Sequence, residues 1–265
     1  MTNYEDICRK TIAVAVEAGQ LLRKERKGFQ KDRIETKGFH DFVSYVDKAS
    51  EKLIVDGLRN ILPDAGFIAE EGTVAAEEKY YRWVIDPLDG TTNFIHGISP
   101  FAVSIALMEG NEVVVGVVQE VSLDECFYAW KGSESYLNGQ PIQVSTTPKA
   151  KDGLIATGFP YYDFSKMPEY LQLLEYFMRT SHGVRRLGSA ATDLCYVAAG
   201  RFDAFYEYSL QPYDVAAGSL IVQQAGGKVI DFKGGNNYIF GKEIVATNNV
   251  LNAEVQKIIV DYLSK

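Results

Sequence analysis

Membrane-spanning length is missing from this 265-residue sequence: no apolar run approaches the ~20 residues a helical span needs. Cysteine is scarce. Cys8, Cys126 and Cys195 are odd in number, far apart and without a C-x-x-C pair, which argues against a disulfide framework and for reduced thiols in a cytoplasmic protein. The first twenty residues carry Glu5, Asp6, Arg9, Lys10 and Glu17, so no secretory leader is expected there. Net positive charge is absent too. At −8 the average field repels polyanions, so neither nucleic acid nor an anionic membrane is an expected partner. A small anion would need a local positive element. Repeats and low-complexity segments are also missing. The balance that remains, 46% apolar and 23% charged, is that of a soluble globular protein with material for a sizeable core. The length suits one large domain or two smaller ones packed together.

Apolar spacing predicts a first amphipathic helix through Tyr4, Ile12, Ala15 and Leu22, and a second from Val46 to Ile61, stopped by Pro63 and carrying Asp47 in its first turn. Between them, Lys24 to Gly38 is basic and aperiodic and reads as a mobile loop. The middle is rich in strands: Phe67–Ala69, Trp83–Ile85, Phe101–Met108, Val113–Val121 and Cys126–Trp130. Hairpin turns are expected at Glu109–Glu112 and at Asn138-Gly139. From about Thr147 strands and helices alternate: strand Leu154–Thr157, helices Glu169–Thr180 and Ser189–Ala199, strand Phe202–Glu207, helix Asp214–Ala225, strand Lys228–Ile230 and helix Val250–Leu263. Two parts are therefore expected, an α+β part over 1–146 and an α/β part over 147–265, stacked in layers.

The chemistry concentrates in Trp83-Val84-Ile85-Asp86-Pro87-Leu88-Asp89-Gly90-Thr91-Thr92-Asn93-Phe94. An apolar strand is expected to end at Asp86, because Pro87 cannot donate to a ladder. Asp86 and Asp89 then converge in a turn, Gly90 relaxes the backbone, and Thr91 or Thr92 caps a short helix whose N–H groups supply the positive element for a phosphate. Crowded carboxylates repel one another unless a cation joins them, and hard oxygen donors suit magnesium. Further acidic elements are Glu70-Glu71-Gly72, directly after an apolar strand, Asp214 at the expected N-cap of its helix, and Asp47.

These segments together resemble the inositol monophosphatase family of magnesium-dependent, lithium-sensitive phosphatases. Asp86 to Phe94 matches the D-P-(apolar)-D-G-T-x-N-(F/Y) signature at every position. Tyr213-Asp214-Val215-Ala216-Ala217-Gly218, with Gly226-Gly227 after its helix, matches the second signature, and Gly188 to Ala191 a third element. The resemblance implies the layered α-β-α-β-α sandwich of the sugar phosphatases. It implies two or three Mg2+ ions, held by Glu70, Asp86 and the Leu88 carbonyl, by Asp86, Asp89 and Asp214, and by Glu70 at a weaker third site. Thr91 with Asp47 would activate the water. Gly90 and Thr91 would present N–H groups to phosphate, while Gly188, Ser189, Ala190, Glu207, Asp89 and Asp214 would meet substrate. Lys37 matches a lysine on a loop near the site, and relatives are usually homodimers. In Gln211 the sequence departs from the animal enzymes, which often have His there.

The expected reaction is therefore hydrolysis of a small polyol or sugar phosphate, inositol-1-phosphate first, by metal-activated water. His40, His96 and His182 are read as non-catalytic. Glu207 would repel a second phosphate, and Arg185, Arg186 or Lys37 would offset that. Within the fold the alternatives are fructose-1,6-bisphosphate, NADP(H) 2'-phosphate, 3'-phosphoadenosine phosphate and histidinol phosphate. Tyr161 and Tyr162, in the Gly158-Phe159-Pro160 loop, would serve a nucleotide base. Outside the class stand a non-catalytic relative binding phosphate or metal, from which at least one of Glu70, Asp86, Asp89, Thr91 or Asp214 should be missing, and a glycosidase, for which the D-G-T-T cradle has no role.

Overall fold

Two β-sheets alternate with three helical layers in the computed structural model, which describes residues 2–29, 34–38, 41–161 and 163–263, with backbone alone for 34–38 and 41–44. Helix α1 (Tyr4–Lys27) is followed by a hairpin of β1 (Ile34–Gly38) and β2 (Asp41–Ser44), then by α2 (Tyr45–Ile61). β3 (Gly66–Ala69) and β4 (Tyr81–Asp89) lead into the short α3 (Thr91–His96). β5 (Ala102–Glu109), β6 (Glu112–Glu120), β7 (Glu125–Trp130), β8 (Ser135–Leu137) and β9 (Gln140–Ile142) then form a meander. The second half runs β10 (Leu154–Thr157), α4 (Met167–Thr180), β11 (Gly183–Arg185), α5 (Ala190–Ala198), β12 (Ala204–Tyr208), α6 (Pro212–Gln224), β13 (Lys228–Ile230), β14 (Glu243–Thr247) and α7 (Asn252–Leu263).

The larger sheet has seven strands in sequential order β3 to β9, antiparallel except for β3 beside β4. The smaller has five, ordered β11-β10-β12-β14-β13, parallel over the first three and antiparallel after. Alternation along β5 shows how the layers are glued. Val103, Ile105 and Leu107 join Ile54, Leu58 and Leu22 in a core under α1 and α2. Ala102, Ala106 and Met108 face the other way, into a core with α5 and α6. A third core lies between the smaller sheet and α4 with α7. The order is α1/α2, large sheet, α5/α6, small sheet, α4/α7, the expected α-β-α-β-α sandwich. Small residues on the inner face let the middle helices close in. At Gly116 an added Cβ would lie 2.6 Å from the Ala217 carbonyl of α6.

Several expectations need correction. Lys24 to Gly38 is not a loop throughout: α1 continues to Lys27, where Gly28 ends it, and Ile34–Gly38 pairs with Asp41–Ser44. The basic last turn of α1, Lys24, Arg26 and Lys27, complements the helix C-terminus despite its weak apolar period. Strand β14 was not anticipated, although it lies between β12 and β13. Among the described residues, no helix is long and apolar enough to cross a membrane. The three cysteines are free and buried.

Candidate active site

In a regular strand, residues three apart point to opposite faces, so Asp86 and Asp89 should diverge. They do not, because β4 continues past Asp86 and bulges. Asp86 lies opposite Ser104 and Asp89 opposite Ala102, so β4 spends one residue more than β5 over the same interval. Pro87, with no N–H to give, falls inside this interruption. The strand therefore passes through Pro87 instead of ending there, and the extra residue restores the parity that puts both carboxylates on one side. The Leu88 N–H donates to Asp86 Oδ1 at 2.9 Å and fixes the bulge.

Gly90, not a threonine, occupies the N-cap of α3, at φ 85° and without a side-chain cap. An added Cβ there would press at 3.1 Å on the Gly188 and Pro100 carbonyls. The Thr91 hydroxyl, released from capping, faces the Leu88 carbonyl at 3.0 Å and Asp47 Oδ1 at 3.3 Å. Asp47 sits in the first turn of α2 and is 1% exposed. Nor is Asp214 an N-cap: Pro212 starts α6, Gln211 caps it, and Asp214 at the third position accepts the Gln211 N–H at 2.6 Å in a capping box. Asp89 is gripped from α5, whose N-cap Ser189 donates its hydroxyl to Asp89 Oδ2 at 2.6 Å while the Ala191 N–H donates at 2.8 Å.

These local devices bring Asp86, Asp89 and Asp214 together. Each offers a carboxylate oxygen, and the three oxygens lie within 4.8 Å of one another. Glu70 follows β3, its N–H bonded to the Ile85 carbonyl at 3.3 Å and its carboxyl paired with that of Asp86. Burial, then the charges of Glu70, Asp89 and Asp214, push Asp86 well above the carboxylate range. Burial, then Asp214, does the same to Glu70. Asp214 rises to about 7 through burial and the Asp89 charge, against the Gln211 N–H. Asp89 rises to about 6 through burial, restrained by Ser189, the amides of Ala191 and Ala190, and Arg186. Hard oxygens crowded until their protons are held too tightly form a donor set that fits a hard divalent cation.

The cluster floors a cleft with about 900 Å³ of space, open to solvent. Leu88, Gly90, Thr91, Gly188, Ser189 and Ala190 line it, as does Glu207 from β12. Glu207 is 6% exposed and its carboxyl is raised by burial and then by Asp214. It is seated against Gly158, where any side chain would overlap its carboxylate. Arg186 lies over the Phe159 and Tyr161 rings, 5.3 and 5.7 Å from the ring centroids, and donates to the Tyr161 hydroxyl at 2.5 Å. Gln211 lines the cleft, whereas Arg185 turns outward to its own Val184 carbonyl. His96 and His182 are exposed and outside it. The Lys37 side chain, His40 and Tyr162 lie outside the described residues. Sequence reasoning missed Ser50 and Glu51, both fully buried on α2. The available signal was their polarity beside the apolar stripe Val46, Ile54 and Leu58.

Comparison with known proteins identifies relatives along nearly the whole chain. Residues 3–264 match the inositol monophosphatase family. A protein named inositol-1-monophosphatase, from Mesorhizobium japonicum, is 39% identical over 254 residues, covering 96% of this chain and 96% of that one. A putative Nus factor SuhB from Neisseria meningitidis serogroup B is 41% identical, covering 91% of this chain and 93% of that one. Among solved structures, the extragenic suppressor protein suhB of Bartonella henselae superimposes with a TM-score of 0.89 at 39% identity, over 95% of this chain and 97% of that one.

Proposed function

The chain belongs to the inositol monophosphatase family and is a phosphoric monoester hydrolase, and from that premise we propose that it hydrolyses a small polyol or sugar phosphate, inositol-1-phosphate first, with magnesium. The observation that carries the reading is the meeting of Asp86, Asp89 and Asp214 oxygens within 4.8 Å, beside Thr91 and the start of α3.

Glu70, Asp86 and the Leu88 carbonyl would hold one ion, Asp86, Asp89 and Asp214 a second, and Glu70 would contribute to a third. Bound there, magnesium supplies Lewis acidity to water and phosphate oxygens. The chain's own residues do the rest. The Leu88 carbonyl, with two lone pairs, can accept the Thr91 hydroxyl and still serve as a ligand. When its single hydroxyl proton points to Asp47 instead of the Leu88 carbonyl, the Thr91 oxygen accepts from the attacking water, and the water's proton passes by way of Thr91 to Asp47. The water oxygen, having given up that proton, bonds to phosphorus, the ester P–O bond breaks, and the leaving oxygen takes a proton from solvent so that the polyol departs as its alcohol. The Gly90 and Thr91 amides orient the phosphoryl oxygens. Ser189 and Ala191 hold Asp89 Oδ2 and so fix the carboxylate that would serve the ion. Glu207, with Gly188, Ser189 and Ala190, receives substrate hydroxyls, and its negative charge favours a single phosphate over two.

We place the protein in the cytoplasm as a homodimer of chains whose parts are 1–146 and 147–265, inhibited by lithium competing at the Asp86, Asp89 and Asp214 site. Phosphate release from inositol-1-phosphate, fructose 1,6-bisphosphate, NADP and 3'-phosphoadenosine phosphate, with and without magnesium, tests the reading. Magnesium-dependent turnover highest on inositol-1-phosphate is expected. Turnover that persists in excess EDTA would overturn it.

A further inference from the structure

Helix α2 turns a polar face toward the protein interior. Asp47, Ser50 and Glu51 stand at i, i+3 and i+4, so they share one side of the helix, and they are 1%, 0% and 0% exposed. Each reaches a different segment of the site. Asp47 meets Thr91. Ser50 donates to the Pro87 carbonyl at 3.0 Å, inside the β4 bulge. Glu51 takes the turn that follows β3: its Oε2 accepts the Glu71 N–H at 2.7 Å, and its Oε1 accepts the Thr73 N–H at 2.7 Å and the Thr73 hydroxyl at 2.6 Å.

A fully buried carboxylate is costly to desolvate and is retained only where its hydrogen bonds recover that cost. Here all three come from one short turn, in which Gly72 adopts φ 64°. The same turn is pinned at its other end by the Glu70 N–H on the Ile85 carbonyl, one residue before Asp86. Glu70 is thus held between β4 and Glu51, with its carboxyl against Asp86. A loop held only by solvent-exposed contacts would leave Glu70 free to swing away from the like charges around it, which is where repulsion drives it.

We infer that Glu51 is a positioning residue for the cation site: by clamping the amides of Glu71 and Thr73 it keeps the Glu70 carboxylate on the ion shared with Asp86. This rests on the magnesium reading above. A residue that orients a metal ligand from behind typically changes affinity by about 10- to 100-fold when altered.

Glu51→Gln preserves shape but replaces one acceptor oxygen by an NH2 group that opposes an N–H. Two measurements avoid turnover: hydrogen exchange at the Glu71 and Thr73 amides in metal-free protein, and calorimetric titration with magnesium alone. Faster exchange at those amides and magnesium affinity weaker by about 10- to 100-fold are expected, with kcat recovering at saturating magnesium. Ile54→Val, on the same helix but in the apolar core, serves as the control for general destabilisation and should leave magnesium affinity unchanged. If Glu51→Gln does not fold, Thr73→Val, which removes only the hydroxyl contact, should shift affinity in the same direction by less. Wild-type magnesium affinity in the variant, or an equal loss in Ile54→Val, overturns the inference and leaves the phosphatase reading standing. No magnesium binding by the wild type overturns both.

Discussion

Asp89 does two jobs, and they can be separated by substitution. Its Oδ2 accepts from Ser189 and Ala191, and the carboxylate also offers an oxygen to the cluster with Asp86 and Asp214. Asp89→Asn keeps the size and one acceptor, so α5 should stay docked and the melting temperature should change little. A neutral amide in place of a ligand should nevertheless cut magnesium-dependent turnover by orders of magnitude. Near-wild-type turnover would remove Asp89 from the ligand set. Gly158 offers a different lever. A methyl group there would overlap the Glu207 carboxylate and force it to shift within the cleft it lines. Gly158→Ala should therefore raise KM for inositol-1-phosphate more than it lowers kcat, since Glu207 is assigned to substrate hydroxyls and not to the phosphoryl group. Steady-state kinetics read the split, and an unchanged KM would detach Glu207 from substrate.

Helices α5 and α6 cross so closely that a Cβ on Gly218 would lie 2.6 Å from Leu194 Cβ and 2.7 Å from its Cδ1. Two effects oppose each other in Gly218→Ala. Alanine favours the helix by up to about 1 kcal/mol, but overpacking against a Cβ that cannot rotate away costs about 1–3 kcal/mol. The second should win, giving a lower melting temperature by calorimetry, and the displaced α5 should lower turnover by loosening the Ser189 and Ala191 grip on Asp89. A melting temperature at or above wild type would show that the helices can part freely. Elements of this kind set what could be read in advance. Long periodic segments such as α1, α2, β5 and β6 announced themselves, and the acidic residues were legible as motifs. Their convergence was not. The β4 bulge depends on pairing with β5, the capping of α3 by Gly90 depends on its positive φ, and β14 is only five residues with a role set wholly by its neighbours. Glu51 stayed hidden for the same reason: its partners lie twenty and twenty-two residues away, in a turn with no period.

Across the whole molecule, the carboxylate cluster makes stability depend on pH in a direction opposite to that of an ordinary salt-bridged acid. Asp214 is raised from 3.8 to about 7 and Asp89 from 3.8 to about 6, both chiefly by burial, so the folded protein without metal holds protons that the unfolded chain has released. Glu70, Asp86, Glu207 and Asp193 are displaced the same way, again with burial as the leading cause. A native state that binds more protons loses stability as pH rises. For Asp214 the contribution is fully present below about 3.8 and gone once pH passes about 7, with Asp89 completing its loss about one unit earlier. Each unit corresponds to about 1.4 kcal/mol for a fully buried group, and solvent in the open cleft reduces that. The melting temperature of EDTA-treated protein should therefore fall between pH 5 and pH 8. Magnesium bound as proposed would reverse the penalty by engaging the ionised carboxylates of the folded state only, adding stability that grows with its concentration over Kd. Its stabilising increment should be larger at pH 8 than at pH 5, where protons compete for the same oxygens. Asp214→Asn removes one of these raised carboxyls and should flatten the metal-free curve while shrinking the magnesium increment at pH 8. Scanning calorimetry over that range, with and without magnesium, decides the matter: a metal-free melting temperature that climbs from pH 5 to pH 8 would mean these carboxylates are compensated by groups other than a cation.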